Sequence, residues 1–264
     1  MSPTLSAVVI ARDEAEMIDR CVARLRFADE VLVVLDDRTT DDTRRRAEQA
    51  GARVVDAHFD SFAGLRNHAL HAATQEWVLF VDADERVTSA LAAEIRTAIS
   101  ADVPAYRVPV RNWFYGSPIR ASGYRERPVR LFRREGASFE GDIHERLVLD
   151  AQTPAPTLRT PLEHFSHRSV LHNLAKTSAY ADVQARQMLA EGHRRVTAWS
   201  LVAIAVRTLG RHLVVGRGFR DGAPGVIESF YQAFSIFCVH VRLWELQRVP
   251  SIEQRYEDLE QRLR

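Results

Sequence analysis

Four short runs of apolar, mostly β-branched residues alternate with helical patterns over the first hundred residues. The runs are LSAVVIA, EVLVVL, ARVVDA and EWVLFV, at 5–11, 30–35, 52–57 and 76–81. Their central positions are apolar without strict alternation, as in strands that are covered on both faces. Segments with helical periodicity follow the first three runs, at 14–26, 42–50 and 61–73. This alternation predicts an α/β domain with a mostly parallel, doubly wound sheet flanked by helices.

The pattern changes at about residue 104. Shorter strand-like segments with turns fill 104–169, and we interpret them as a mixed extension of the sheet that forms a second wall of a cleft. Residues 170–264 have helical character to the end of the chain. The sequence therefore predicts an α/β domain at 1–169, with halves at 1–103 and 104–169, followed by a helical region.

Composition narrows the class of protein. The 264 residues are 46% hydrophobic and 27% charged, and the net charge is only +1, so no general affinity for nucleic acid is expected. Cys21 and Cys238 are the only cysteines and lack metal-ligand spacing, which favours a reducing compartment. The start of the sequence, MSPTLSAVVIARDE, has no basic leader, so we expect a cytoplasmic protein.

Polar residues follow three of the four predicted strands. The segments are ARDE, DDRTTDDT and DADE, at 11–14, 36–43 and 82–85. Ligand sites in parallel α/β sheets lie at the carboxyl ends of the strands. We therefore expect these three loops to meet at one edge of the sheet.

Two aspartates in the last of these loops form a candidate metal site. Asp82 and Asp84 flank Ala83, so in an extended segment both carboxylates point to the same side. Like charges this close repel unless a cation lies between them, and Mg²⁺ or Mn²⁺ binds carboxylate and phosphate oxygens well. A solvated turn or a helix N-cap is the alternative. Neither GxxxxGK[ST] nor GxGxxG occurs, which favours a nucleotide-sugar or a nucleoside triphosphate over a dinucleotide.

Several motifs together resemble glycosyltransferase family 2. They are AVVIARDEAEMIDRCVARL, ADEVLVV, TTDDT, LRNHAL, WVLFVDADERV, RLFRR, FEGDIHERL and HFSHRS. Their order and spacing are most similar to the bacterial branch with lipopolysaccharide-core β-glucosyltransferases, as far as LWEL at 243–246. The resemblance implies a Rossmann-like GT-A fold and inverting transfer of a hexose, with UDP-glucose as donor, Mn²⁺ or Mg²⁺ as cofactor and a cell-envelope glycan or glycolipid as acceptor.

The resemblance also assigns roles to individual residues. It places Ala11 in the nucleoside pocket, with Arg12 at the base and Glu14 near the ribose. Arg66 of LRNHAL matches a basic residue at the junction of uridine and diphosphate. Residues 82–84 match the metal-binding motif of GT-A enzymes.

One departure from the family pattern concerns the residue that reads uracil. Asp36 matches the aspartate at the uracil edge, but Arg38 stands where glycine is common. Both Asp36 and Asp37 therefore remain candidates.

An inverting transfer needs a carboxylate that removes the proton of the acceptor hydroxyl. Three acids lie in the acceptor-side region, and Glu145 matches the segment where similar enzymes carry their base. Asp142 is the second candidate, and Glu126 is interpreted as an acceptor contact. A salt bridge to a nearby arginine is the structural alternative for each of the three.

A histidine completes the predicted metal site. His164 of LEHFSH matches a histidine that joins the metal ligands in many GT-A enzymes, and imidazole with two carboxylates suits Mn²⁺. His144 and His167 are the alternatives.

The helical tail combines positive charge with apolar segments. Between 186 and 220 there are seven arginines and one acidic residue, around the segment VTAWSLVAIAV. Two interpretations stay open: contact with an anionic membrane at the inner face of the cell membrane, or packing against the catalytic domain or a second subunit of a homodimer. Two other functions also remain, a sugar-phosphate nucleotidyltransferase and a non-catalytic membrane-associated scaffold.

Overall fold

The structure is a computed structural model that describes residues 2–121, 126–141, 146–149, 154–167 and 169–263. The strands are β1 Leu5–Ala11, β2 Glu30–Asp36, β3 Arg53–Ala57, β4 Trp77–Phe80, β5 Glu85–Arg86, β6 Ala105–Arg107, β7 Val110–Phe114, β8 Ser117–Pro118, β9 Val129–Arg133, β10 Ala137–Glu140, β11 Arg146–Leu149 and β12 Leu162–His167. The helices are α1 Ile18–Leu25, α2 Thr43–Ala50, α3 Phe62–Ala72, α4 Ser89–Ala98, α5 Val170–Ala190, α6 Ala198–Gly210, α7 Gly222–Leu246 and α8 Ile252–Arg262.

The central sheet has six strands in the order β3-β2-β1-β4-β9-β6. β1 pairs in parallel with β2 and with β4, and β2 pairs in parallel with β3. The parallel, doubly wound arrangement predicted from the four apolar runs is confirmed. β9 is antiparallel to both β4 and β6, so the second half of the chain extends the sheet in a mixed way.

The inner strands β1, β2 and β4 are mostly buried on both faces, which explains why most of their positions are apolar. In β4, Trp77 and Leu79 pack with the cluster that includes Cys21 of α1. Val78 and Phe80, which alternate with them, belong to the cluster on the other face. Burial of both faces leaves the ends of the strands as the places where polar groups can collect.

The first helix is shorter than its periodicity predicted. The helical pattern covers 14–26, whereas α1 is Ile18–Leu25, because a turn in which the Glu14 carbonyl accepts from the Met17 and Ile18 amides precedes it. α2 ends at Ala50, as predicted, and is capped by Gly51, whose φ of 99° lies in the left-handed region that favours glycine. The extra turn after β1 leaves Arg12 and Glu14 in a loop.

The chain divides into two compact units, 1–112 with 125–166 and 113–124 with 167–264. The first contains the central sheet and the antiparallel pair β10–β11. A further sheet has the order β5-β12-β7-β8, and His164 of β12 stands opposite Glu85 of β5.

The second unit is mainly helical. Its core contains Ala181 and Ala185 of α5 together with Val239 and Leu243 of α7. A π-helical turn, Arg211–Val215, follows α6.

Within the second unit, two titratable groups are paired in the interior. His167 and Glu228 are 2.7 Å apart, and the side chain of Glu228 is only 2% exposed. The imidazole of His167 also packs 4.2 Å from the Phe114 ring, between ring centroids. His167, one of the alternative metal ligands, thus has a partner of its own inside this unit.

Candidate active site

The acidic segment after β4 forms a tight turn. The Asp82 amide donates to Glu85 Oε2 at 2.8 Å, and the Glu85 amide donates to the Asp82 carbonyl at 2.9 Å. The Phe165 amide of β12 donates to the Asp84 carbonyl at 2.9 Å, which ties the turn to the second sheet. Asp82 and Asp84 therefore lie on a backbone that is fixed from both sides.

Arg130 of β9 provides a cation to this turn. Its Nη2 lies 2.9 Å from Asp82 Oδ2 and 3.2 Å from Glu85 Oε1. The Glu85 side chain is 1% exposed, whereas that of Asp82 is 44% exposed. Glu85 is thus an interior group, and Asp82 keeps a solvent-facing side that is open to a ligand.

The carboxyl groups of Asp82 and Glu85 have pKa values that are shifted in opposite directions. Burial raises the pKa of Asp82, but Arg130, and then Arg66 and His164, outweigh it and hold that pKa below the usual range. Burial and the neighbouring charge of Asp82 raise the pKa of Glu85 above its usual range, against the influence of Arg130. Asp82 is therefore the carboxylate that carries the negative charge in this turn.

Asp84 faces a histidine from β12. His164 Nε2 lies 3.4 Å from Asp84 Oδ2, and His164 Nδ1 lies 2.7 Å from the Asn112 side-chain oxygen. Since an amide oxygen only accepts, Nδ1 carries the proton in this contact. Nε2 then faces a carboxylate, and either a proton or a metal ion between the two atoms stabilises that arrangement.

The charge around His164 also affects its acidity. Burial lowers the pKa of His164, but Asp84, Glu85 and Asp82 outweigh it and raise that pKa above its usual value. The imidazole thus lies in surroundings that favour a positive charge.

Two of the three predicted metal ligands, Asp84 and His164, lie together. Asp82, the third, is engaged by Arg130 through one of its oxygens. In the described parts of the chain no group of three or more His, Cys, Asp or Glu side chains is arranged to hold a metal ion. The Asp84–His164 pair fits a divalent cation by its donor atoms, since carboxylate oxygen with imidazole nitrogen suits Mn²⁺.

Asp36 lies at the end of β2 and is covered by Arg38. Arg38 Nε donates to Asp36 Oδ1 at 2.8 Å and Nη2 donates to Oδ2 at 2.5 Å, while Asp36 is 3% exposed. The guanidinium also lies 4.0 Å from the Phe59 ring centroid. Arg38 lowers the pKa of Asp36 against the effect of burial. Asp37, the alternative, contacts His58 at 2.7 Å and is more exposed.

The loop after β1 is joined to the loop after β2. The Thr40 amide donates to Asp13 Oδ1 at 2.8 Å, and the Glu14 amide donates to Thr43 Oγ1 at 2.8 Å. Ala11 is 3% exposed, whereas the Arg12 side chain is 51% exposed and lies 3.6 Å from Asp13. The structure thus brings together the two loops that carry the predicted nucleoside-pocket residues.

Of the remaining predicted residues, Arg66 and Glu126 are described by the structure and three others are not. Arg66 of α3 lies 5.3 Å from the Phe80 ring and 5.4 Å from the Phe139 ring, measured to the centroids. Glu126 is exposed, and its carbonyl accepts from the Val110 amide at 3.0 Å. Asp142, Glu145 and the alternative His144 lie outside the described residues.

Comparisons with known proteins place this site in a family context. A model of "Glycosyl transferase family 2" matches residues 6–146. An uncharacterized glycosyltransferase of Rickettsia bellii is 27% identical over 98% of this chain and 92% of its own length. The lipopolysaccharide core biosynthesis glycosyltransferase LpsC of Rhizobium meliloti is 27% identical over 94% of this chain and 96% of its own length.

A solved structure supports the fold. The mannosyltransferase PcManGT of Pyrobaculum calidifontis, in complex with GDP-Man and Mn²⁺, aligns with a TM-score of 0.52. The alignment has 18% identity and covers 92% of this chain and 88% of that one. At this identity the likeness concerns the fold alone, which is the GT-A fold.

Proposed function

The chain belongs to glycosyltransferase family 2, and from this we propose that it transfers glucose from UDP-glucose to a cell-envelope glycan or glycolipid, with inversion at the anomeric carbon. The observation that supports this most is the fixed acidic turn after β4, where Asp84 faces His164 at 3.4 Å. One of the relatives named above is a lipopolysaccharide core biosynthesis glycosyltransferase. We propose that residues 1–103 bind the donor, 104–169 bind the acceptor and 170–264 form a helical region.

Asp84 and His164, with the exposed side of Asp82, would hold a divalent cation. PcManGT was solved with Mn²⁺ and a nucleotide-sugar, which is consistent with such a role here. A cation at this place supplies positive charge that neutralises the leaving diphosphate. Arg130 keeps Asp82 ionised and in position, so its contribution is to orient a ligand of that cation.

The donor and the acceptor would be held by different parts of the chain. Arg12, Glu14 and Arg38 with Asp36 would contact the nucleoside, since these residues lie on the joined loops after β1 and β2. Glu145 would remove the proton from the acceptor hydroxyl as that oxygen attacks the anomeric carbon. Asp142 is the second candidate for this proton transfer.

A hydrolysis screen across nucleotide-sugars tests the donor. We expect UDP-glucose to be hydrolysed slowly in the absence of acceptor, faster than GDP-mannose, and only with Mn²⁺ or Mg²⁺, because the diphosphate leaves as an anion. Release of UDP is measured with and without EDTA. Absence of hydrolysis with every nucleotide-sugar would contradict the proposal and favour the scaffold. Release of pyrophosphate from a nucleoside triphosphate and a sugar phosphate would favour the nucleotidyltransferase.

We also propose that the second unit binds the inner face of the cell membrane. Trp199, Val202 and Val206 of α6 lie on one helical face and are 84%, 56% and 65% exposed. Arg207 and Arg211 are exposed beside them. An apolar face bordered by arginines fits an anionic lipid surface better than a purely apolar protein partner.

The segment that begins with this helix has the length and hydropathy of a membrane span. Ala198–Val215 has a mean hydropathy of 1.3 and is 6% buried, and it is the one segment of the described helices that is long and apolar enough to cross a membrane. Arg207 and Arg211 fall inside it, and each costs about 2.5–3.5 kcal/mol near the centre of a bilayer. The helix therefore fits a position in the plane of the interface.

Vesicle binding tests this proposal. Because each arginine near an anionic surface contributes about 1 kcal/mol, Arg207→Glu with Arg211→Glu should weaken binding at least about tenfold. Sedimentation with vesicles of phosphatidylcholine and phosphatidylglycerol measures it. Arg255→Glu with Arg262→Glu on α8 is the matched control and should bind normally. Equal binding to purely neutral vesicles would contradict the proposal, and self-association without lipid would favour a homodimer.

A further inference from the structure

A cavity of about 430 Å³ lies within the first compact unit, next to the acidic turn. Its polar lining consists of four arginines and one acid: Arg66, Arg107, Arg130, Arg146 and Glu126. Apart from Arg66 and Phe80, every lining residue comes from the part of the chain after residue 104. A concave site with this surplus of guanidinium groups fits an anion.

Two of the arginines are held in place by the fold. The Arg66 guanidinium lies over the rings of Phe80 and Phe139, which fixes a flexible side chain against an apolar wall. Arg130 is held by its ion pairs with Asp82 and Glu85. The cavity therefore has two preorganised cations, and ordering them on binding a ligand costs little entropy.

Arg130 also has a donor that no described group satisfies. Its Nη2 donates to Asp82, whereas its Nη1 is buried and has no hydrogen-bond partner among the described residues. A buried N–H without an acceptor destabilises a folded protein, so an oxygen ligand at this point would be bound favourably. Arg130 lines the cavity, and a ligand there can supply that oxygen.

The charges indicate which anion fits. Asp82 pairs with Arg130, and among the described lining residues Arg107 and Arg146 bring two further guanidinium groups against one carboxylate, Glu126. The contact of Arg146 with Glu140, at 3.8 Å between exposed side chains, offsets little of this surplus. A phosphate monoester carries nearly two negative charges at neutral pH and accepts paired hydrogen bonds from guanidinium groups.

We propose that this cavity binds a phosphate group carried by the acceptor. The inference rests on the proposed function, because it adds a chemical class of acceptor to that reaction. Arg130 contacts Asp82 and lines the cavity as well, so a phosphate here lies one side chain away from the carboxylate that faces the donor. The acceptor is then a phosphorylated sugar or a lipid-linked phosphate, and the cavity selects it over the unphosphorylated form.

Calorimetric titration of the whole chain with inorganic phosphate tests the site. We expect binding that Arg107→Gln with Arg146→Gln weakens at least about tenfold, because two charge-assisted hydrogen bonds are lost. Arg26→Gln with Arg44→Gln removes the same charge elsewhere and should leave phosphate binding unchanged. UDP affinity should change by less than about twofold in both double variants, since exposed charges at a distance act weakly.

The outcomes separate this proposal from the donor site. Phosphate should still bind when UDP is saturating; if UDP displaces it and the Arg107 and Arg146 variant loses both ligands in parallel, the cavity holds the donor diphosphate and the proposal is wrong. Absence of phosphate binding, or an equal loss in the control variant, would also overturn it. If no protein binds UDP, the proposed function fails and the acceptor role fails with it.

Two competitors identify the carrier of the phosphate. Glucose 6-phosphate, compared with glucose, should displace inorganic phosphate if a sugar carries the group. Phosphatidylcholine vesicles that contain phosphatidic acid, compared with vesicles that lack it, should displace it if a lipid carries the group. Displacement by either supports the site, and displacement by neither while inorganic phosphate binds would exclude an acceptor-borne phosphate.

Discussion

Asp84→Asn is expected to lower the rate of sugar transfer on the order of 10³-fold, because loss of one carboxylate removes several kcal/mol of charge stabilisation at a metal-assisted step. The change keeps the size of the side chain and the hydrogen bond that the Asp84 carbonyl accepts from Phe165. It removes only the negative charge that faces His164. The fold should therefore persist while catalysis is lost.

UDP release from UDP-glucose measures this effect, at several Mn²⁺ concentrations. Asp102→Asn, in an exposed turn of the same unit, is the matched control and should retain full activity. If Asp84→Asn kept more than a tenth of the activity, or if excess Mn²⁺ changed nothing in the native chain, Asp84 would not be a metal ligand. Equal circular dichroism spectra of the two variants establish that the comparison concerns catalysis.

Arg130→Met is expected to destabilise the chain by about 3–5 kcal/mol, the usual cost of removing one partner from a buried ion pair. Asp82 would lose the cation of its salt bridge, and Glu85, whose side chain is 1% exposed, would lose the guanidinium that donates to its carboxyl group. Urea unfolding followed by tryptophan fluorescence measures the free energy of unfolding. The size of the effect distinguishes an interior pair from a surface pair, which contributes at most about 1 kcal/mol.

A second substitution tests the cause of this loss. Asp82→Asn in the Arg130→Met chain should restore part of the stability, because the negative charge that Arg130 balanced is then absent. Arg133→Met on the same strand is the control, since Arg133 is 39% exposed whereas Arg130 is 14% exposed, and it should cost under about 1 kcal/mol. Equal losses for Arg130→Met and Arg133→Met would show that Arg130 has no special role.

The sheet could be predicted from the sequence because each of these strands is a run of apolar residues that are consecutive in the chain. The nearly continuous apolar residues of β1, β2 and β4 required cover on two faces, and the structure provides it. Asp82 and Asp84 could be placed at the ligand-binding edge of the sheet, since they directly follow β4 and ligand sites lie at the carboxyl ends of parallel strands. These inferences use residues that are neighbours in the chain.

The ion pairs of the candidate site could not be predicted in that way, because their partners are distant in the sequence or depend on side-chain conformation. Arg130 reaches Asp82 and Glu85 from 48 and 45 residues away, and nothing in RLFRR shows which arginine points inward. Glu85 looked like one more acid in DADE, but the Asp82 amide and Arg130 hold it in the interior. The cover of Asp36 by Arg38 depends on a rotamer, and the stacking on Phe59 that supports it is a tertiary contact.

Arg38 is hydrogen-bonded to Asp36, so a nucleobase can bind Asp36 only by replacing Arg38. Both oxygens of Asp36 are already bonded, so a base that uses them must first displace the guanidinium. Breaking these hydrogen bonds costs the same free energy for every base. Discrimination between bases therefore depends only on the contacts that each base then makes with Asp36. A nucleoside alone should then bind weakly, and the diphosphate must provide most of the binding free energy of the donor.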